Sequence, residues 1–282
     1  MSCVLCDDTG WKPVEEDGVR RVVRCDCWRD QIGRQRLASA NVPRRYQHCT
    51  ISTFTAYNES LEKAVQAARH VAESFPVVSK GLLLEGQPGV GKTHLAVAVL
   101  KHVIESTGAR GLFYDTRDLL RLIRSTYDPS TRTTELQVLR PVMTADLLVL
   151  DDLGAEKTSE WVEETMNLIV NSRYNERRLT IFTSNYPDIP DESEPNSLLC
   201  RIGFRMRSRL HEMCEFLVLD GADYRELPVN GGVDDLIMLW KRRTRTLPAP
   251  AGRHARASLR SPAVRDGKAD LKWPGGRAGS GT

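Results

Sequence analysis

Eight residues constrain this chain more than any other stretch: Gly86-Gln87-Pro88-Gly89-Val90-Gly91-Lys92-Thr93. The apolar run Gly81-Leu82-Leu83-Leu84-Glu85 before them reads as a buried strand, and His94-Leu95-Ala96-Val97-Ala98-Val99-Leu100 after them as a helix. Strand, glycine loop and helix together make the context in which G-x-x-x-x-G-K-[ST] is a phosphate-binding loop. Gly86, Gly89 and Gly91 let the backbone curl its N–H groups inward. The helix amino terminus adds partial positive charge. Lys92 is placed for the β- and γ-phosphates, the Thr93 hydroxyl for a magnesium ion, and His94 opens the helix beside them. A nucleoside triphosphate with Mg²⁺ is the expected ligand.

A loop of this kind needs a parallel sheet behind it, and the later strands supply one. Ala145-Asp146-Leu147-Leu148-Val149-Leu150-Asp151-Asp152 is an apolar strand that delivers two carboxylates to its carboxyl end. In open parallel sheets that edge is where ligands sit. Asp151 would hold Mg²⁺, and Asp152 is positioned to orient or activate the attacking water. Aspartate is a methylene shorter than glutamate, so slow hydrolysis is expected; Glu156 is a second candidate for the same role. Leu179-Thr180-Ile181-Phe182-Thr183-Ser184-Asn185 is a further strand, ending in an amide that can hydrogen-bond a γ-phosphate or its water. Arg110–Asp115 and Glu215–Leu219 complete the strand set.

Helices are expected over Ser60–Phe75, over Arg117–Arg124 capped by Thr116, over Thr133–Met143, and over Leu198–Met213. Arg117, Arg121, Arg124 and Arg132 make either a solvated face or a track for a phosphate backbone. The helix from Leu198 carries Arg201, Arg205, Arg207 and Arg209, which can be a solvated face or the source of an arginine finger for a neighbouring subunit.

At the amino terminus Cys3-x2-Cys6 and Cys25-x-Cys27 lie 18 residues apart. Two close pairs across a hairpin-sized interval match a four-thiolate Zn²⁺ site, with Thr9-Gly10 and Asp17-Gly18 as turns and Val19–Val23 as the returning strand. This knob reads as a docking module for protein or nucleic acid. At the other end, Lys241–Thr282 holds eleven Lys/Arg against two acids, a net of +9, which leaves the preceding residues at −6. That tail is rich in Arg, Pro, Gly, Ala and Ser and is expected to be disordered. With odd cysteine usage, no signal-like start and no long apolar run, the cytoplasm is the expected default and no membrane-spanning segment is expected.

Taken in order, the phosphate loop, Leu148-Val149-Leu150-Asp151-Asp152-Leu153-Gly154-Ala155-Glu156, Thr183-Ser184-Asn185, Arg205-x3-Arg209-Leu210 and Asp223-Tyr224-Arg225 resemble the DnaC/DnaI-type helicase loaders. With the IstB-type transposition helpers these form one branch of the AAA+ ATPases. The resemblance covers about residues 40–228, and the cysteine knob is similar to that of DnaI-like and phage-type loaders. It implies a three-layer α/β ATPase domain over 46–228, a zinc-binding docking module over 1–45, and a short helix with a disordered basic tail over 229–282. By the same resemblance Asn185 is sensor 1, Arg205 or Arg209 is the trans-acting finger, and Arg225 is a sensor-2 arginine. The helices between Thr116 and Met143 fall where loaders engage single-stranded DNA. The implied partners are a replicative helicase and further copies of the chain, joined through ATP. Two departures stand out: the basic tail has no counterpart, and Asp234–Trp240 leaves room for no more than a short helix in place of a lid. The rival readings are a transposition helper acting on duplex DNA and a non-hydrolysing zinc adaptor. A small-molecule kinase would leave Asn185, Arg205 and Arg209 without a role.

Overall fold

The computed structural model describes residues 3–246 except 8, 17, 18, 129 and 192. The Asp17-Gly18 turn and the tail from residue 247 onward lie outside the described residues. A parallel sheet of five strands forms the centre: β3 (Gly81–Gly86), β4 (Gly111–Asp115), β5 (Leu147–Asp151), β6 (Leu179–Ser184) and β7 (Cys214–Leu219), in the order β4-β5-β6-β3-β7. The strand before the phosphate loop therefore sits between β6 and β7. The polar carboxyl ends of β5 and β6 open beside it.

Helices cover both faces, which is why β3 and β5 are apolar almost without interruption, while β6 adds the buried Thr180, Thr183 and Ser184. The two-residue period of a strand sorts their side chains. Leu82, Leu84, Val149 and Ile181 pack under α2 (Glu59–Ser74) and α3 (Lys92–Thr107). Leu83, Leu148, Leu150 and Phe182 pack on the opposite core with α4 (Thr116–Ser125), α5 (Glu135–Thr144), α6 (Glu160–Asn175) and α7 (Leu198–Met213). Each such fully buried leucine or phenylalanine is worth about 1.5–3 kcal/mol relative to exposure.

Local chemistry sets the helix ends. Asn58 accepts from the Leu61 amide at the start of α2, and Thr134 with Gln137 forms a capping box on α5. The cap of α4 is Asp115, whose carboxylate takes the Arg117 and Asp118 amides, and not Thr116. Thr116 is the first helical residue, and its buried hydroxyl donates to Asp151 O at 2.8 Å. Within α7 Gly203 sits at φ 76°, ψ 160°, so the helix breaks there and restarts.

Two helices differ from expectation. Residues Asp26–Ala38, unread as an element, form α1, which packs along α3 with Gly33 close to the Ile104 carbonyl and the Glu105 backbone. The last helix, α8 (Val233–Thr246), is longer than the short one expected and carries on through residues 241–246. Trp240 donates to Asp220 and Arg243 to Gly221 O, which fasten it to the turn after β7. A small antiparallel hairpin, β1 (Trp11–Glu16) and β2 (Val19–Arg24), stands ahead of α1. Among the described residues no helix is long and apolar enough to cross a membrane.

Candidate functional site

The phosphate loop bends where glycine is needed. Gly89 (φ 82°) and Gly91 (φ 100°) are left-handed, and a Cβ on either would collide, with the Asp223 carboxylate and the Phe54 ring respectively. The loop feeds directly into α3, so its amides lie at a helix amino terminus.

Around it the strand ends converge. Lys92, only 7% exposed, donates from Nζ to Gly86 O at 2.7 Å, Gln87 O at 2.9 Å and Asn185 Oδ1 at 2.8 Å. The Asn185 amide in turn donates to Asp152 Oδ1, so lysine, amide and carboxylate form one chain. Thr93 and Thr183 both donate to Asp151 Oδ1, at 2.9 and 2.6 Å. The Asp152 N–H donates to Thr183 Oγ1 at 2.9 Å, which holds Asp152 at φ 60°. That left-handed geometry suits aspartate and asparagine far better than longer side chains.

Burial shapes the charges. It pushes the Lys92 amine down to about 8, against the pull of Asp151 and Asp152. It pushes the Asp151 carboxyl up, partly offset by the Thr183 and Thr93 hydroxyls. Asp152 is also raised by burial, with Arg117 acting against the shift.

These groups line a cleft of about 660 Å³ together with Pro88, His94 and Arg225. The remaining wall is a strap formed by Arg45, Tyr46, His48, Thr53 and Phe54, a stretch to which the sequence assigns no role in nucleotide binding. His94 holds the strap by donating to Thr50 O at 2.9 Å, and Lys101 of α3 donates to Gln47 O and to Cys49 O. Phe54 meets His94 edge-on at 5.5 Å, and Tyr224 donates to Thr55 O at 2.5 Å. The only trace of this in the sequence is the aromatic content of this stretch, Tyr46, Phe54 and Tyr57, which a solvated loop has no reason to carry.

Arg205 and Arg209 are not in the cleft. They line a separate hollow with Glu160, Glu163 and Glu164 of α6. Arg207, between them, is engaged elsewhere: it clamps Asp188 with Nε–Oδ1 at 2.5 Å and Nη2–Oδ2 at 2.9 Å. Glu156 pairs with Arg117 at 3.8 Å, away from the Lys92–Asn185–Asp152 chain.

At the hairpin, the sulfurs of Cys3, Cys6, Cys25 and Cys27 all lie within 4.8 Å of one another, and none is in a disulfide. Tetrahedral zinc with bonds near 2.3 Å needs sulfurs roughly 3.8 Å apart. Cys3 and Cys25 are at 3.7 Å and Cys6 and Cys27 at 3.2 Å, so the thiol set fits the ion with small adjustment.

Comparison with known proteins agrees with this geometry. The model of the IstB-like ATP binding protein family matches residues 27–190. The chain is similar to the replicative helicase loader DnaC of Buchnera aphidicola subsp. Baizongia pistaciae, 29% identical over 149 residues that cover 53% of this chain and 60% of that protein. Among solved structures, a DnaC helicase loader is 37% identical with a TM-score of 0.56, covering 63% of this chain and 99% of the other. DnaI is 26% identical with a TM-score of 0.53, covering 65% and 94%.

Proposed function

The chain belongs to the IstB-like ATP-binding family, in the DnaC/IstB branch of the AAA+ ATPases, and from that premise we infer that it is an ATP-dependent loader of a replicative helicase. The hydrogen-bonded chain Lys92–Asn185–Asp152 supports the ATPase part of this reading, and the likeness to DnaC helicase loaders supports the loader part. The hydrogen-bonded chain joins a phosphate-binding amine to a carboxylate through an amide, as a switch that senses a terminal phosphate requires.

Lys92 holds the β- and γ-phosphates, and a γ-phosphate competes with Asn185 for its ammonium. Asn185 then serves the phosphate or the attacking water. Asp152 accepts a proton from that water as its oxygen attacks the γ-phosphorus and the bond to the ADP oxygen breaks. Thr93 and Asp151 are the residues that would hold Mg²⁺, which supplies charge neutralisation of the phosphates. Arg225 faces the same cleft, whereas Arg205 or Arg209 serves the cleft of a neighbouring copy. Tyr46 and Phe54 wall the part of the cleft left for the base.

The loader reading further assigns residues 1–45 to helicase docking around a zinc ion, 46–228 to the ATPase, and 229–282 to α8 and an extension. It assigns Arg117, Arg121, Arg124 and Arg132 to single-stranded DNA. The similarity to a DnaC protein supports these assignments, together with the four-thiol cluster and the exposed basic edge of α4.

The test is ATP turnover by the full chain with single-stranded DNA, with duplex DNA and with neither, beside Lys92→Ala. Slow turnover changed by single-stranded DNA and abolished in the variant is expected, and a replicative helicase should then be retained by the tagged protein. Stimulation by duplex DNA alone would favour a transposition helper, which shares every residue of the cleft. ATP binding with no turnover above the variant would make the chain a nucleotide-bound adaptor.

A further inference from the structure

At the amino-terminal edge of the sheet, opposite the nucleotide cleft, a second hollow of about 620 Å³ opens between α1, α5 and the start of β4. Its apolar surface comes from Gly111 and Leu112 of β4 and from Pro141 and Ala145 at the end of α5. Three arginines surround it: Arg36 from α1, Arg110 ahead of β4, and Arg140 from α5. Among the described residues no carboxylate lines it. Arg110 shares Asp146 with Arg178, at 3.3 Å each. Among the described residues Arg36 and Arg140 have no carboxylate within ion-pair distance.

β4 is an end strand of the sheet, so one side of it carries backbone groups without a neighbouring strand. The Phe113 N–H on that side donates to Ala40 O at 2.8 Å, so the chain leaving α1 already lies along this edge. By the two-residue period of a strand the Gly111 peptide faces the same way, into the hollow.

We propose that this groove docks an extended acidic segment of a partner protein, its apolar side chains on Leu112 and Pro141 and its carboxylates on Arg36, Arg110 and Arg140. Arginine forks match carboxylates and phosphates alike, but among the described residues the groove has no aromatic face on which single-stranded bases stack. The backbone edge at Gly111 gives an extended segment a place to add main-chain hydrogen bonds. The seat lies at the other end of the sheet from Lys92, so it is independent of the loader reading.

The experiment uses the full chain and a fluorescein-labelled octapeptide in which glutamates surround two leucines. Fluorescence anisotropy is expected to show saturable binding that weakens with salt. The same peptide with lysine for glutamate should not bind. Arg36→Glu with Arg140→Glu should weaken binding at least tenfold, and the milder Arg36→Gln with Arg140→Gln should fall between. ATP binding, measured in parallel, should stay at the wild-type value and so report that the variants fold. No binding to the wild-type chain, or equal binding to the charge-reversed one, would overturn the proposal. Displacement of the octapeptide by oligo-dT would overturn it too, by making the groove a nucleic-acid site.

Discussion

At the scale of single residues the proposed chemistry rests on Lys92 and Asp152, and each can be tested without disturbing the fold. Lys92→Ala removes a charged donor worth about 1.5–3 kcal/mol, so ATP affinity should fall by about 10- to 100-fold in calorimetry. Asp152→Asn keeps a residue type at home at φ 60°. It should therefore bind ATP normally yet lose about 100-fold or more of its turnover. Unchanged turnover would remove Asp152 from the mechanism. The low pKa of Lys92 has a direction that can be worked out. The amine sits at about 8 in the fold against an ordinary value of 10.5. Between those two values the unfolded chain binds more protons than the native one, so this group adds stability as pH rises through the window. A phosphate favours the charged amine, so ATP binding near pH 8.5 should take up protons. Calorimetry in two buffers of different ionisation enthalpy should show different heats, and identical heats would sink the idea. That Lys92, Asp151, Asp152 and Asn185 meet in one cleft was legible in sequence because each closely follows a short strand or ends one. Asp115 as the true cap of α4 was not: two polar residues stand side by side there, and only the backbone decides which of them is outside the helix.

Among the elements, those with a strong apolar period were read correctly and those without it were missed. The strands β3 and β5 are nearly pure hydrophobic runs, whereas α1 is dominated by polar residues and approaches the α3 backbone closely at Gly33. α8 was underestimated because its second half, Lys241–Thr246, carries the basic composition of the tail that follows. The nucleotide strap was invisible for a different reason. Its wall is made by long-range bonds from Lys101 and His94, not by any local pattern. One inter-element tie is sharply testable. Arg173 of α6 is 1% exposed and donates to Val142 O, Ala145 O, Leu179 O and Thr180 Oγ1, joining α5, α6 and β6. Arg173→Met leaves those acceptors buried without a donor and should cost about 3–5 kcal/mol in chemical denaturation. The hairpin depends instead on its thiols. Cys25→Ser should abolish about one equivalent of bound zinc and expose residues 3–25 to protease, while ATP binding persists.

Across the whole molecule, the cleft and the outward arginines of α7 occupy different surfaces, and an oligomer would bring them together. Arg207 is committed to Asp188 and Arg201 lies over the Tyr186 ring, so Arg205 and Arg209 remain the candidates for the proposed finger. The doubly substituted Arg205→Ala, Arg209→Ala chain should bind ATP but lose turnover by about a thousandfold. Mixed with Lys92→Ala, which keeps its fingers, it should regain part of that activity, because an intact cleft then meets an intact finger. No recovery across mixing ratios would mean that each chain works alone. The close seat of Gly33 on the Ile104–Glu105 backbone has a consequence for how such a chain can change over time. The same helix that starts at Lys92 beside the phosphate loop runs for sixteen residues and ends under the cysteine hairpin's supporting helix. Each residue of an α-helix advances about 1.5 Å and turns about 100°. One residue gained or lost inside α3 would swing that seat round to the wrong side of the protein. Length can drift in the surface turns near Tyr127 or Asp191, but the distance from phosphate loop to hairpin is inherited as a fixed gauge.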